Sequence, residues 1–259
     1  MSDKVFFPDY IDKEITFSNE NGSTTWILTE KLSEQNDQLD EFEFREFEDV
    51  SAAYGVFRCK NASNPRDTAT MKIFMQVPYA GSEFTSRQKR ADQASDRLTY
   101  QAEKETDALR QLTERNCQHA PRVLGYQQDK QDEEGLVPNG FIVYLVMALV
   151  PGVQLERSLY RQMPLSERQK ICRAFKVAWL DCVMDGGIFT YRHGICSVSW
   201  DSTEEKIYIT NFESCRQRAP TDRWQDIIFL QWGLMQPPRG YVWYEETEEH
   251  PDMSLWRIE

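Results

Sequence analysis

The sequence predicts an α+β protein with a strand-rich first part and a helix-rich second part. Alternating or continuous apolar runs of β-forming residues dominate the chain up to residue 150, and apolar residues at helical spacing dominate after it. The pair Pro151-Gly152 separates the two patterns. With 259 residues, 40% of them hydrophobic, the chain can bury a core of ordinary size.

Composition limits the classes of partner. The chain has 42 acidic and 30 basic residues, a formal net charge of -12. Because nucleic-acid binding draws its affinity from clustered Lys and Arg, we expect no nucleic-acid partner. The sequence shows no basic-then-apolar leader and no apolar run approaching the ~20 residues of a membrane span, so we expect no membrane association. These features predict a cytoplasmic location, with the nucleus as the alternative.

The six cysteines include no CxxC pair, and their spacing matches no metal-binding pattern with the three histidines. We interpret them as free thiols in a reducing compartment, and predict neither a disulfide framework nor a zinc site. His193 precedes Cys196 by three residues, but we interpret this pair as incidental because no orienting carboxylate accompanies it.

The first part contains three predicted strands and an unusual acidic segment. Residues 1–24 are expected to be an N-terminal extension, and strands are predicted over 25–32, 52–61 and 68–77. Residues 34–49 contain eight acids, one arginine and three phenylalanines. We predict a solvated loop there, with a contact surface as the alternative.

Helical patterns follow. Residues 86–115 contain no Pro or Gly and are rich in helix formers, which predicts one long helix. Two more strands are predicted over 119–129 and 140–150. Residues 165–187 have apolar side chains at helical spacing and end on two glycines, which predicts a second helix.

The order of these elements resembles that of the protein kinase fold. Lys72 in TMKIF matches the strand lysine that holds the nucleotide phosphates in that family, and Glu105 matches the helix glutamate that pairs with it. YLVMALVPG resembles the fifth strand and hinge, with Met147 as gatekeeper. By this resemblance a vestigial nucleotide cleft would comprise Lys72, Glu105, Met147, Ala148, Leu149 and Val150.

Two later segments extend the resemblance. Asp222 and Trp224 match the Asp-x-Trp that begins a helix of the kinase C-lobe, and SVSWD at 197–201 is similar to a phrase that follows the catalytic loop in short kinase-like proteins of fungi. The resemblance implies a bilobal protein kinase-like fold. It would have a five-stranded antiparallel N-lobe sheet with one long helix over 25–150, a truncated, mostly helical C-lobe over 151–235 and an acidic-aromatic tail over 236–259.

The same resemblance implies that kinase chemistry has been lost. Thr190 and Arg192 stand at the ends of the His-Arg-Asp motif, Ser197 replaces the metal-binding Asn, and Asn211 replaces the Asp of Asp-Phe-Gly. Arginine stays protonated and accepts no proton, and neutral Ser and Asn oxygens are weak ligands for Mg²⁺. A shift of three residues restores a histidine, His193, but puts an isoleucine at the base position. Between Leu32 and Gly55 no glycine is available to form a phosphate loop.

We therefore predict a catalytically inactive kinase-like protein that acts as a protein-binding scaffold or regulator and needs no cofactor. Its partner would be a basic, partly apolar protein that contacts residues 34–49 or the tail at 241–256. One alternative is a weak ATP-binding regulator that uses the vestigial cleft. The other is an atypical phosphotransferase with a rearranged metal site built from Glu213, Asp201 or Glu204.

Overall fold

The structure is a computed structural model that describes residues 4–19, 22–47, 49–191, 194–238 and 256–259. The chain divides into two compact units. The first comprises Met1–Thr106 and Val123–Leu149, and the second comprises Asp107–Arg122 and Val150–Glu259.

The first unit is built on a six-stranded antiparallel sheet in the order β1-β2-β3-β4-β6-β5. Its strands are β1 (Glu14–Asn19), β2 (Gly22–Asp37), β3 (Ala52–Asn61), β4 (Thr68–Gln76), β5 (Val123–Lys130) and β6 (Phe141–Ala148). The register of β2 on β3 shifts at two places, which bends this long strand. The edge strands β1 and β5 approach each other so closely that a Cβ on Gly125 would lie 2.9 Å from the Phe17 ring. The sheet is therefore nearly barrel-shaped.

The core of the first unit lies inside this curved sheet. Strand alternation places Met71, Ile73 and Met75 of β4 on the inner face, where they join buried side chains from the other strands. Phe6 and Phe7 are also buried in this core. The segment that we expected to be an N-terminal extension therefore contributes a strand and part of the core.

The acidic segment is not a loop throughout. Strand β2 continues to Asp37, and a short helix, α1 (Glu41–Phe47), follows. The side chain of Asp40 accepts a hydrogen bond from Glu43 N at 2.8 Å, and that of Glu43 accepts one from Asp40 N at 2.9 Å. This reciprocal capping box explains why a helix begins in so acidic a stretch, since two backbone N–H groups that lack helical partners are satisfied.

The single helix predicted over 86–115 is wrong. Two helices occur instead, α2 (Arg87–Ala91) and α3 (Tyr100–Glu114). Two buried glutamines hold the non-helical link between them: Gln76 donates to Gln93 O at 2.6 Å and accepts from Ser95 N at 3.0 Å. Gln93 accepts from Tyr79 N at 3.0 Å. These tertiary hydrogen bonds outweigh the local helix propensity.

The second unit combines helices with short strands. Its helices beyond α3 are α4 (Arg157–Gln162), α5 (Leu165–Leu180) and α6 (Ile228–Gln231), and α5 continues into a π-helical turn over Asp181–Asp185. Its strands are β7 (Val153–Gln154), β8 (Ile188–Thr190), β9 (Val198–Asp201), β10 (Lys206–Ile209), β11 (Cys215–Gln217), β12 (Met235–Gln236) and β13 (Arg257–Ile258). They form the sheets β10-β9-β7, β11-β8 and β12-β13.

Helix α5 forms the centre of this unit's core. Ile171, Phe175 and Trp179 are buried on one face of it, and the Phe175 ring lies 4.9 Å from the Trp232 ring. Near the end of the chain, the buried Glu259 side chain forms an ion pair with Arg161 and lies 3.6 Å from Arg157 Nε. Most of the predicted acidic-aromatic tail, residues 239–255, lies outside the described residues.

These observations correct the predicted fold class. The chain is α+β, but the five-stranded N-lobe sheet and mostly helical C-lobe of a kinase-like fold are wrong. The sheet has a sixth strand, β1, and curls nearly into a barrel because its two edges come together. In the described part of the second unit, short strands occur among the helices, and two-stranded pairings follow α5.

Candidate functional site

The clearest polar feature of the first unit is a buried ion pair between β4 and α3. Lys72 Nζ lies 2.6 Å from Glu105 Oε2, and the two residues are only 5% and 4% exposed. The Lys72 ammonium also lies 5.2 Å from the centre of the Phe74 ring. The pair is therefore enclosed, whereas Lys and Glu side chains in proteins are usually exposed to solvent.

Met147 shares a face of the sheet with this pair. Lys72 is opposite Leu145, and Thr70 is opposite Met147, so strand alternation directs Lys72 and Met147 to the same side. Leu149 follows β6 and is exposed, and Val150 begins a segment of the second unit. The assignment of Lys72, Glu105 and Met147 to Val150 to a nucleotide cleft remains a prediction.

Thr190, Ser197 and Asn211, which the kinase resemblance assigns to a degenerate catalytic site, lie in the second unit and form hydrogen bonds that hold backbone turns. The Thr190 hydroxyl donates to Asn211 O at 3.3 Å and to Ser214 O at 3.2 Å. The Asn211 side-chain oxygen accepts from Glu213 N at 3.0 Å. Ser197 is buried, and its carbonyl accepts from Thr210 N at 2.9 Å. These three positions are brought together, whereas Arg192 and His193 lie outside the described residues.

Of the carboxylates proposed for a rearranged metal site, that of Asp201 holds a local turn. The Asp201 side chain accepts from Thr203 N at 2.9 Å and from Glu204 N at 3.3 Å, which closes the turn between β9 and β10. Within the described ranges, no group of three or more His, Cys, Asp or Glu side chains is arranged to hold a metal ion.

Helix α1 presents an exposed surface of acids and aromatics. We define the α1 surface as Asp40, Glu41, Phe42, Glu43, Glu46 and Phe47. Phe42 is 66% exposed and Phe47 is 69% exposed. The one base on the helix, Arg45, lies 2.6 Å from Glu41 within the same helix. The surface therefore combines a negative field with apolar rings that face solvent.

The α1 surface rests on a fixed base. The Phe44 ring stacks on Tyr79 with centroids 5.3 Å apart, and Ala80 N donates to Leu39 O at 2.8 Å. Leu39 N in turn donates to the Ser51 hydroxyl at 3.0 Å. These contacts tie the beginning of α1 to the loop after β4, a loop that carries the fully exposed Phe84.

The second unit contains a second polar cluster, centred on Asp181, which the sequence patterns did not indicate. Asp181 Oδ2 accepts from His119 Nδ1 at 2.7 Å, from Gln118 N at 2.7 Å and from Cys117 Sγ at 3.3 Å. Cys117 Sγ also lies 3.6 Å from Cys182 Sγ. The two halves of this cluster are 62 or more residues apart in sequence, so no local spacing could have indicated it.

This cluster predicts a particular response to acid. Burial alone would raise the pKa of Asp181, but the hydrogen bonds from His119, Gln118 N and Cys117 outweigh burial and hold that pKa below its usual range. A carboxyl with a lowered folded-state pKa stabilises the fold fully above its unfolded pKa of ~4, and this contribution is lost as pH falls through the folded value.

We therefore expect Asp181→Asn to lower the free energy of unfolding at pH 7, and to lower it less at pH 3. Urea unfolding at the two pH values measures this difference. A loss of equal size at both would contradict the role of the ionised carboxylate.

A cavity of about 430 Å³ was also missed from the sequence. It lies in the first unit, and its lining includes Phe6, Tyr10, Lys13, Asp132 and Tyr144. Burial, together with the Asp129 and Asp132 carboxylates, raises the pKa of Tyr144 to about 12.

A scan against protein-family models finds no family that matches the chain, and a search of curated proteins finds no match. The relationship to protein kinases therefore stays a prediction that rests on the quoted residues. Among the described residues, no helix has the length and apolar character needed to cross a membrane.

Proposed function

We propose that this chain is a protein-binding scaffold or regulator without phosphotransfer activity, and that the α1 surface binds a basic, partly apolar segment of its partner. The observation that carries the proposal is the exposure of Phe42 and Phe47 among the acids of one short helix. A single exposed aromatic side chain is common. Helix α1, however, has two exposed phenylalanines and no buried residue, so its apolar surface is not used to pack the helix against the protein core.

Charge complementarity selects the chemistry of the partner. The α1 surface carries four acids, and its helix contains one base, which is already paired with Glu41. Lys and Arg side chains of a partner would be attracted to this field, and their aliphatic stems or neighbouring apolar side chains would cover the phenylalanine rings. Aromatic residues of this kind are enriched among interface residues that contribute most to binding.

The helix is already in place before a partner arrives. The capping box between Asp40 and Glu43 begins it, and the contact of Phe44 with Tyr79 fixes it to the sheet side of the unit. Because the segment is already ordered, binding does not incur the entropic cost of ordering it, and this favours binding.

The absence of phosphotransfer rests on the chemistry of the residues. By the kinase resemblance, Ser197 and Asn211 offer weak neutral oxygens where the family has the Asn and Asp that hold magnesium, and Arg192 stands in place of the catalytic Asp. Lys72 is engaged with Glu105 inside the first unit, which suits a structural ion pair. Under this proposal, the pair links α3 to the sheet and does not serve a bound nucleotide.

A short synthetic peptide with several lysines and two tryptophans tests the proposed surface. We expect the peptide to bind the full chain. The double variant Phe42→Ser, Phe47→Ser should raise the dissociation constant about tenfold or more. Fluorescence anisotropy measures the affinity. Hydrogen exchange of the complex locates the contact, and protection is expected at residues 40–47.

Two controls separate this surface from general attraction to an acidic protein. Leu165→Ser with Val177→Ser removes two comparably exposed apolar side chains from α5, and should leave the affinity unchanged. A peptide with serines in place of tryptophans should bind the wild-type chain and the α1 variant equally weakly. Equal weakening by the two double variants, or protection confined to other segments, would contradict the proposed surface.

A further inference from the structure

We propose that Cys117 and Cys182 form an oxidative modification site, where a peroxide converts the two thiols into a disulfide. Their sulfur atoms are 3.6 Å apart, in van der Waals contact. A disulfide bond of ~2.05 Å requires the sulfurs to approach by about 1.5 Å. This site lies outside the α1 surface and does not depend on the proposed function.

The backbone on both sides of the pair is irregular. Cys117 lies in the loop after α3, and the residue before it, Asn116, has a φ of 57°. Cys182 lies in the π-helical turn, in which Gly186 N donates to Asp181 O at 2.7 Å. Such turns interrupt the regular helix and commonly accompany functional sites. Here the turn brings both Asp181 and Cys182 to the loop that carries Cys117 and His119.

The two thiols differ in ways that assign their roles. Cys117 is 9% exposed and Cys182 is 1% exposed, so peroxide reaches Cys117 first. The Cys117 thiol donates to Asp181 Oδ2, and this hydrogen bond fixes the orientation of the thiol. Hydrogen bonding with Cys117 and burial raise the pKa of Cys182, which keeps this thiol protonated until an oxidised Cys117 lies beside it.

The reaction proceeds in two balanced steps. Cys117 Sγ attacks one oxygen of hydrogen peroxide; an S–O bond forms, the O–O bond breaks, and the thiol proton leaves with hydroxide as water. Cys182 Sγ then attacks the sulfenic acid; the S–S bond forms, the S–O bond breaks, and the departing hydroxide takes the Cys182 proton. Two thiols are oxidised, one peroxide is reduced, and two waters are released.

The disulfide would join the loop after α3 to the end of α5 within the second unit. It would close a long stretch of chain, since the two cysteines are 65 residues apart. A crosslink over such a distance restricts the unfolded state strongly and stabilises the folded one. Oxidation would therefore make the second unit more resistant to unfolding.

Peroxide treatment of the full-length chain tests the proposal. After oxidation, we expect the number of free thiols to fall from six to four, the mass to fall by two hydrogens, and peptide mapping to link Cys117 with Cys182. The Tm of the transition should rise by about 5–10 °C and return on reduction with dithiothreitol.

Variants separate this pair from the exposed Cys196. Cys196→Ser should oxidise as the wild type does, and Cys117→Ser should lose both the crosslink and the Tm rise. Phenylarsine oxide bridges paired thiols without oxidation, and it should block one pair of thiols in the wild type and in Cys196→Ser. Both of these chains retain Cys117, so this measurement does not depend on whether Cys117→Ser folds. A link through Cys196, over-oxidation of Cys117 without a crosslink, or failure of the arsenical to block the pair would overturn the proposal.

Discussion

Lys72→Met should lower the free energy of unfolding of the first unit by about 3–5 kcal/mol, because it leaves the Glu105 carboxylate buried without its charged partner. Glu105 is only 4% exposed, so solvent cannot replace the lost ammonium without local opening. Glu105→Gln should cost somewhat less, since the amide still accepts a hydrogen bond from Lys72. Urea unfolding measured by circular dichroism compares the variants with the wild type.

Two controls make this prediction specific. Lys72→Met combined with Glu105→Leu removes both charges, and should recover most of the loss because no unpaired charge stays buried. Arg58→Ala breaks an exposed pair with Glu30 in the same sheet, and should change the free energy of unfolding by less than about 1 kcal/mol. If Lys72→Met cost no more than Arg58→Ala, the buried pair would not have the structural role assigned to it.

Gly152→Ala should be similarly damaging to the second unit. Gly152 has a φ of +87°, and a Cβ there would lie 2.2 Å from Trp200 O and 2.6 Å from Asp201 N. These are backbone atoms of β9, which pairs with β7 directly after Gly152, so they cannot move without breaking that sheet. The strained backbone and the clash together should cost about 3–5 kcal/mol.

Gly81→Ala is the matched control for this substitution. Gly81 has a similar φ of +91°, but an added Cβ would meet no atom within 4 Å. It should therefore cost only the backbone strain, about 1–2 kcal/mol. Thermal unfolding of the two variants separates strain from steric overlap. Equal losses would show that close packing against β9 is not what requires glycine at 152.

Patterns within single strands were predictable from the sequence. Residues 52–61 and 68–77 were predicted as strands, and β3 and β4 occupy nearly the same residues. The arrangement of the sheet was not predictable in this way. Strand β1 pairs with β2 in a local hairpin, but its approach to Gly125 brings Phe17 to a residue more than a hundred positions away.

Side-chain hydrogen bonds across long sequence distances explain the other errors. The helix pattern over 86–115 gave no indication that Gln76 would bind the segment between α2 and α3. Likewise, Asp181 and His119 each appear unremarkable in sequence, and only the fold places them 2.7 Å apart. The acidic segment shows the opposite case: Asp40 and Glu43 have the spacing of a capping box, so α1 could have been predicted.

We infer that the chain binds a protein and does not bind and use a nucleotide. Thermal-shift titration with ATP and ADP, in Mg²⁺ and in EDTA, tests this inference, because a ligand that binds only the folded state must raise the Tm. We expect no rise at millimolar nucleotide under either condition. A rise that persists in EDTA would indicate a regulatory nucleotide site, and a Mg²⁺-dependent rise that Lys72→Ala abolishes would overturn the inference and support a phosphotransferase.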